Sequence, residues 1–236
     1  TTTITGGTTA TDVVNYSVAG ATVVTGDATT LTVTGTTGVD TFTNTGSGAT
    51  STTLGGGIDI YTGGGAVDSI VIGATAADAD IIETFTVGAD KIDLSIAILN
   101  QAAAGIVDAG DLSAVTTVNA VIAAGTGDTQ FILSDNAFDL DLTDVTDASG
   151  MTAVEIASIT TAARTVLNAT ASTNLDGEFA ANETVIFVLD DTSDTSSAIF
   201  SFNNSTATGN TISDGELILL AVVDANAILA TGDIII

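Results

Sequence analysis

The stretch "TLGGGIDIYTGGGAVDSIVIG", from Thr53 to Gly73, restricts the fold more than any other part of the chain. Two similar blocks set three consecutive glycines ahead of an aspartate, Asp59 in the first and Asp68 in the second. Without a Cβ, consecutive glycines let the backbone pass through positive φ and aim carbonyl oxygens at one point, and the aspartate brings a carboxylate to the same place. With aspartate placed sixth in a nine-residue unit, "GTTGVDTFT" (35–43), "TGSGATSTT" (45–53), "LGGGIDIYT" (54–62) and "GGGAVDSIV" (63–71) fall into register, and only Asn44 is extra. Position eight holds Phe42, Thr52, Tyr61 or Ile70. A turn followed by a short strand with one large residue cannot bury that residue alone, whereas stacked copies can.

Composition narrows the chemistry. The chain has no Cys and no His, so thiolate chemistry, disulfides and imidazole general bases are excluded. Carboxylates, hydroxyls and carbonyls remain, which is the ligand set of a hard cation. A net charge of -27, with Lys91 and Arg164 the only basic residues, repels nucleic acid and anionic membrane and favours cations as partners. No apolar run approaches the length of a membrane span, the longest being "LILLAVV" at 217–223. Although the chain is acidic, 45% of its residues are hydrophobic, which argues for a folded state over disorder. The opening "TTTITGG" has no initiator Met, basic region or apolar signal core, as expected of a processed chain or a fragment without a Sec-type signal.

Thr, Val and Ile without any Pro read as a predominantly β protein with turns made by Gly, Asn and Asp. Residues 1–34 alternate as several short strands, as in "ATVVTG" and "TTLTVTG". "MTAVEIASITTAARTVLNATAS" is the best helix candidate, with Val154, Ile156, Ile159, Ala163, Val166 and Leu167 near a 3.6-residue rhythm. "ETVIFVLDD" and "SSAIFSFNN" read as two strands joined by an acidic turn, and the last segment supplies two more.

The nonapeptides resemble GGxGxDxUx, the repeat of the RTX (repeats-in-toxin) family of calcium-binding, type I secreted proteins. "DADIIETFTVGADKIDLS" (78–95) resembles the segment that closes that family's parallel β-roll, and 209–236 is similar to the carboxy-terminal ends of many of its members. The likeness covers 35–95 well, 184–236 loosely, and 96–183 only as compatible. Departures stand at Thr50, where Asp belongs, at Ala66 in a Gly position, and at Glu83-Thr84-Phe85, where an Asp usually precedes the Phe. The resemblance implies a mainly β fold: a short calcium-binding parallel β-roll within a larger β-sandwich or β-solenoid-like domain, with one or two short helices. The divisions it suggests are N-terminal strands at 1–34, roll and closing segment at 35–95, and a mainly β C-terminal domain at 96–236 with a helix near 152–168 and a type I secretion-like end.

In that roll two nonapeptides make one coil, so ions lie between turns about 18 residues apart on one side. Asp40 and Asp59 then share a site, Asp59 shares a second with Asp78, and Asp68 looks forward to Asp90 and Asp93. The implied calcium ligands are Asp40, Gly55, Gly57, Asp59, Gly64, Asp68, Asp78, Asp80, Asp90 and Asp93. The same residues have a purely structural reading, in which glycines form tight solenoid turns and aspartates cap them. Asp135, Asp139, Asp141 and Asp144, then Asp190, Asp191 and Asp194, and "SDGE" at 213–216 are weaker acidic candidates that read equally well as solvated faces. Lys91 is expected to pair with its flanking aspartates, and Arg164 to form a surface or intermolecular salt bridge.

"GGGIDIYT" lacks the Lys-Ser/Thr pair of a phosphate-binding loop, and no carboxylate pair can be singled out for glycosidase chemistry, so no enzymatic activity is expected. The reading that results is an extracellular structural protein at the bacterial cell surface. It folds on binding calcium and assembles with copies of itself into a surface layer or filament, by strand addition from apolar ends such as "TTTIT" and "GDIII". Its expected partners are calcium ions, further copies and a cell-surface polysaccharide. The alternative is a C-terminal calcium-binding and secretion module of a larger adhesin or hydrolase; a third class is a small calcium-dependent sugar binder, for which no Trp and two Tyr make a poor platform.

Overall fold

The computed structural model describes residues 3–5, 12–15, 22–25, 30–44, 46–73, 78–94, 130–133, 151–170, 184–190, 196–203, 212–225, 227, 229 and 231–235. It is mainly β, with two sheets and one α-helix among these residues. The first ten strands are β1 (Thr3–Thr5), β2 (Asp12–Asn15), β3 (Thr22–Thr25), β4 (Thr30–Thr34), β5 (Thr41–Asn44), β6 (Ala49–Thr53), β7 (Ile60–Thr62), β8 (Ser69–Ile72), β9 (Asp80–Phe85) and β10 (Lys91–Leu94). Odd-numbered strands lie in one sheet in the order β1-β3-β5-β7-β9, and even-numbered strands lie in the other as β10-β8-β6-β4-β2. Every neighbouring pair among them is parallel, so the chain crosses from sheet to sheet after each strand and returns one position along.

Thr3 stands opposite Thr22, Thr22 opposite Thr41 and Thr41 opposite Ile60, a repeat of 19 residues. Other spacings occur further along: 18 from β6 to β8, where Ser51 meets Ser69, 21 from β7 to β9, where Ile60 meets Ile81, and 22 from β8 to β10, where Ser69 meets Lys91. Asn44 is therefore not an insertion into an 18-residue coil; the longer coil is the rule, and it already holds in 1–34.

Period-two burial explains the packing. In β5, β8 and β10 alternate residues face inward, giving Phe42, Ile70, Ile72, Ile92 and Leu94 to the space between the sheets, where they meet Val33, Leu54, Tyr61, Ile82 and Phe85. The odd-numbered sheet continues past β9 with β14 (Leu217–Ala225), β13 (Ser196–Asn203), β12 (Thr184–Asp190) and β11 (Gln130–Leu133). β12 and β13 are antiparallel, as are β13 and β14, whereas β14 runs parallel to β9. β13 and β14 are buried on both faces, which is why they read as nearly continuous apolar runs.

Their second face is covered by helix α1 (Ala153–Thr170), which buries Ile156, Ile159, Ala163 and Leu167 against Phe187, Phe200, Phe202 and Leu219. Val154, counted on the apolar stripe from spacing alone, is instead exposed, because two residues from Ile156 it lies on the opposite face of the helix. A capping box starts the helix: Thr152 Oγ1 accepts the Glu155 N–H, and Glu155 Oε2 accepts the Thr152 N–H. Thr160, Thr161 and Thr165 donate their hydroxyls to carbonyls four residues earlier, so a threonine-rich helix leaves these groups satisfied. Arg164 pairs with Asp214 within the chain, and Asn168 holds both the N–H and the C=O of Ile212, fixing the helix to the approach of β14.

The even-numbered sheet is finished by a 3-10 turn (Thr231–Asp233) and β15 (Ile234–Ile235), which pairs with β10 through Ile92 and Ile234. Lys91 pairs with Asp233 at 3.5 Å and donates to the Gly232 carbonyl at 2.7 Å, and Asp233 accepts the Gly88 N–H at 2.7 Å. The ion-pair partner of Lys91 is thus Asp233, not a flanking aspartate: in a strand the lysine side chain leaves by the outer face, where the C-terminal turn docks.

Thr84 adopts φ 59 in β9, a left-handed conformation that a β-branched residue takes up only under strain. Its hydroxyl bonds the Gly63 carbonyl at 3.0 Å. Replacing Thr84 by Asn, which tolerates this region, is expected to raise stability by about 1 kcal/mol in thermal or chemical unfolding. Thr152→Ala should lower it by about 1 kcal/mol through loss of the cap.

Candidate functional site

Two rows of polar residues run up the places where the chain turns into each sheet. Asp40, Asp59 and Asp80 lead into β5, β7 and β9, and Thr50, Asp68 and Asp90 occupy the corresponding places at β6, β8 and β10. All five aspartates are buried.

Four of these carboxylates join one coil to the one before it. Asp59 Oδ1 accepts the Asp40 N–H at 2.6 Å and Asp80 Oδ1 accepts the Asp59 N–H at 3.1 Å. On the other row Asp68 Oδ1 accepts the Thr50 N–H and Asp90 Oδ1 accepts the Asp68 N–H, both at 2.9 Å. The second oxygen closes the aspartate's own turn: Asp40, Asp68 and Asp90 use Oδ2 to accept the N–H four residues earlier, from Thr36, Gly64 and Thr86. Asp80 reaches Gly73 instead, because its turn is longer.

Asp59 breaks the pattern, since its Oδ2 is buried and has no hydrogen-bond partner. The glycine turn ahead of it is committed elsewhere. Gly56 N–H bonds the Thr36 carbonyl at 2.8 Å, and Gly57 N–H bonds Asp78 Oδ1 at 3.0 Å. Gly55 and Gly57 sit at φ +101 and +104, and a Cβ on Gly55 would lie 2.2 Å from the Thr36 carbonyl oxygen, so the turn rests directly on the previous coil. Burial, with the charges of Asp40 and Asp78 adding to it, pushes the Asp59 carboxyl up to about 8, against the pull of the Asp40 N–H. Asp80 is raised well above the usual carboxylate range, first by burial and then by Asp59, and Asp90 is raised chiefly by burial.

The residues singled out in the sequence are thus brought together in part. Asp40, Gly55, Gly57, Asp59, Asp78 and Asp80 converge on one edge, and Gly64, Asp68 and Asp90 on the other. Asp80, not Asp78, continues the row from Asp59, while Asp78 serves the Gly57 amide. Asp93 stands apart, half-buried on the outer side of β10 opposite Val71 and Ile235. In "SDGE" the Glu216 carboxylate accepts the Ser213 N–H and Asp214 pairs with Arg164, so the segment caps a turn. Asp190 accepts the Ser197 hydroxyl across the β12–β13 hairpin. Asp135, Asp139, Asp141, Asp144, Asp191 and Asp194 lie outside the described residues.

Spacing alone missed Asn44 and Tyr61. The Tyr61 hydroxyl lies 2.6 Å from Thr50 Oγ1, which itself donates to Asp68 Oδ1 at 2.9 Å, so a chain of hydroxyls leads from the apolar interior to the carboxylate. Burial raises the Tyr61 phenol far above its ordinary range and keeps it neutral. Asn44 Nδ2 donates to both oxygens of Asp68, at 3.2 and 3.4 Å. Asn44 had a visible signal as the odd residue between two nonapeptides; Tyr61 was marked as the large residue at position eight, with no signal for the partner of its hydroxyl.

Among the described residues no group of three or more acidic side chains is placed to hold a metal ion. A cation here would have to draw on carbonyl oxygens of a glycine turn as well as carboxylates. That donor set fits calcium at one place, the unpartnered Asp59 Oδ2 in the coil that the Gly55–Gly57 turn opens, and the chemistry a bound ion would supply there is neutralisation of buried charge. No protein-family model matches the chain, and no curated protein sequence matches it.

Raised carboxyl values make the native chain bind more protons than the unfolded one. For Asp59 the folded value of about 8 exceeds the unfolded 3.8, so its contribution to stability is complete below about pH 4 and is lost as pH rises towards 8. Asp80 and Asp90 act in the same direction. Without calcium, β circular dichroism should therefore be greater at pH 5 than at pH 8, and Asp59→Asn should flatten that difference.

Proposed function

We propose that this chain is an extracellular structural protein whose stacked coils form a short calcium-binding parallel β-roll, and that the folded chain assembles with copies of itself at a cell surface. The observation that carries the reading is the buried, unpartnered Asp59 Oδ2, set between Asp40 and Asp80 in a chain with a net charge of -27. A buried carboxylate without a donor is costly unless it takes up a proton or a cation. At neutral pH and millimolar calcium the cation is the better neutraliser. It contributes RT ln(1 + [L]/Kd), about 1.4 kcal/mol per site at ten times Kd. Where calcium is scarce, self-repulsion of so acidic a chain opposes compaction and favours an export-competent, unfolded state.

Alternation of consecutive strands between two parallel sheets supports the β-roll, as do the cross-coil carboxylate bonds. The buried carboxylates, hydroxyls and amide on the two edges offer structure and ion binding. Assembly by strand addition draws support from the end of the stack at β1 and β2, each of which has a partner on one side only among the described residues. The strands "TIT" and "DVVN" carry neither Pro nor Lys, the residues that usually blunt such an edge. The isoleucines at the other end favour an internal role, since Ile234 is buried beside Ile92.

Chelator-treated protein returned to millimolar calcium should gain β circular dichroism and a sharp melt, and negative-stain electron microscopy should reveal ordered sheets or filaments. A native melt in chelator would overturn the folding switch; dispersed folded particles in calcium would overturn self-assembly and favour a module of a larger secreted protein.

A further inference from the structure

We propose that calcium enters the roll on the Asp59 edge alone, and that on the opposite edge the side-chain amide of Asn44 takes the place of the ion. This inference rests on the calcium reading above and adds to it which coils hold the metal.

The two edges start from the same repeat and end with opposite balances of donors and acceptors. On the first, Asp59 has one N–H donor on Oδ1 and nothing on Oδ2, in a side chain with no exposed surface. On the second, Asp68 is equally buried, yet it receives the Thr50 N–H, the Thr50 hydroxyl, the Gly64 N–H and the Asn44 amide on both oxygens. A carboxylate offers about four acceptor positions, so Asp68 is filled by protein donors. An ion at Asp68 would have to displace hydrogen bonds already made, whereas an ion at Asp59 meets an oxygen that has none.

The arrangement around Asn44 is built to keep the amide there. Its Oδ1 accepts the Gly46 N–H at 3.1 Å, and Nδ2 also reaches the Gly48 carbonyl at 3.3 Å, which fixes the rotamer and which end of the amide points at Asp68. Gly64 makes the room: a Cβ at that position would stand 2.6 Å from Asn44 Nδ2. Thr50, the residue that departs from the repeat, removes a second carboxylate from the edge and adds a hydroxyl donor in its place. Asn44, Thr50 and Gly64 together convert an ion site into one filled by hydrogen-bond donors.

The test is a count of calcium ions per folded full-length chain, by equilibrium dialysis or calorimetric titration with calcium chloride. The variants are Asp59→Asn, Asp68→Asn and Asn44→Asp, each checked by circular dichroism. Asp59→Asn should bind one ion fewer than the unmodified chain, Asp68→Asn the same number, and Asn44→Asp one more, because it sets a carboxylate against Asp68 where a donor stood. At limiting calcium Asn44→Asp should also melt below the unmodified chain, and excess calcium should close the gap. Loss of an ion in Asp68→Asn, an unchanged count in Asp59→Asn, or no gain in Asn44→Asp would overturn the one-sided site while leaving calcium binding intact. If Asp68→Asn does not fold, the other two variants decide. An unmodified chain that binds no calcium would instead overturn the reading on which this proposal stands.

Discussion

A single hydrogen bond, repeated from coil to coil, underlies the rest of this structure: an aspartate oxygen accepting the backbone N–H of the residue one coil earlier. Parallel strands meet only through main-chain bonds that are slightly weaker than their antiparallel equivalents, and the turns between them would otherwise leave amides buried without partners. A hydrogen bond to a charged group contributes about 1.5–3 kcal/mol, roughly twice a neutral one. Each aspartate therefore fixes register and satisfies a turn in one contact. The same device concentrates acceptors in the interior, and where donors fall short, as at Asp59, the fold carries an electrostatic deficit that a proton or a cation removes.

Around this framework the apolar packing is of two kinds. Between the two sheets the coils contribute one or two large side chains each, so the core is a column, with Phe42, Tyr61, Ile82 and Phe85 along it. Beyond β9 the odd-numbered sheet becomes antiparallel and double-faced, and α1 supplies the second layer. β9 belongs to both regions, paired with β7 on one side and β14 on the other, and Thr84 takes its strained conformation in this strand. The coil column and the helix-covered sheet thus share a strand, and each shields an edge of the other.

Much of this was legible in the residues. The nonapeptide spacing located β5 to β8, the 3.6-residue rhythm located α1, and "TVIFVLD" and "SSAIFSFN" were visible as strands because their runs are apolar and β-branched or aromatic. What spacing could not convey was partnership across coils. The step from Asp59 lands on Asp80 because this coil is 21 residues long, and nothing local to Asp78 or Asp80 distinguishes them. Similarly, Thr50 read as a worn position, whereas its hydroxyl links Tyr61 to Asp68, a contact that depends on two strands of different sheets facing each other. The ion-pair partner of Lys91 lay more than a hundred residues away, beyond the reach of any local pattern.

The position of β15 carries a consequence for timing. Among the described residues β10 receives its outer neighbour from Ile234 and Ile235, and the turn that seats them is anchored by Asp233 to Gly88, 145 residues upstream. Closing a loop of that length is entropically slow compared with winding one coil onto the next. A chain emerging amino end first from a ribosome would therefore have its coils in hand long before the strand that finishes their sheet. Delivered carboxyl end first, it would present the finishing strand before there were coils to receive it. Direction of emergence, with no change of sequence, would decide whether the last-wound edge waits open or is closed as soon as it forms.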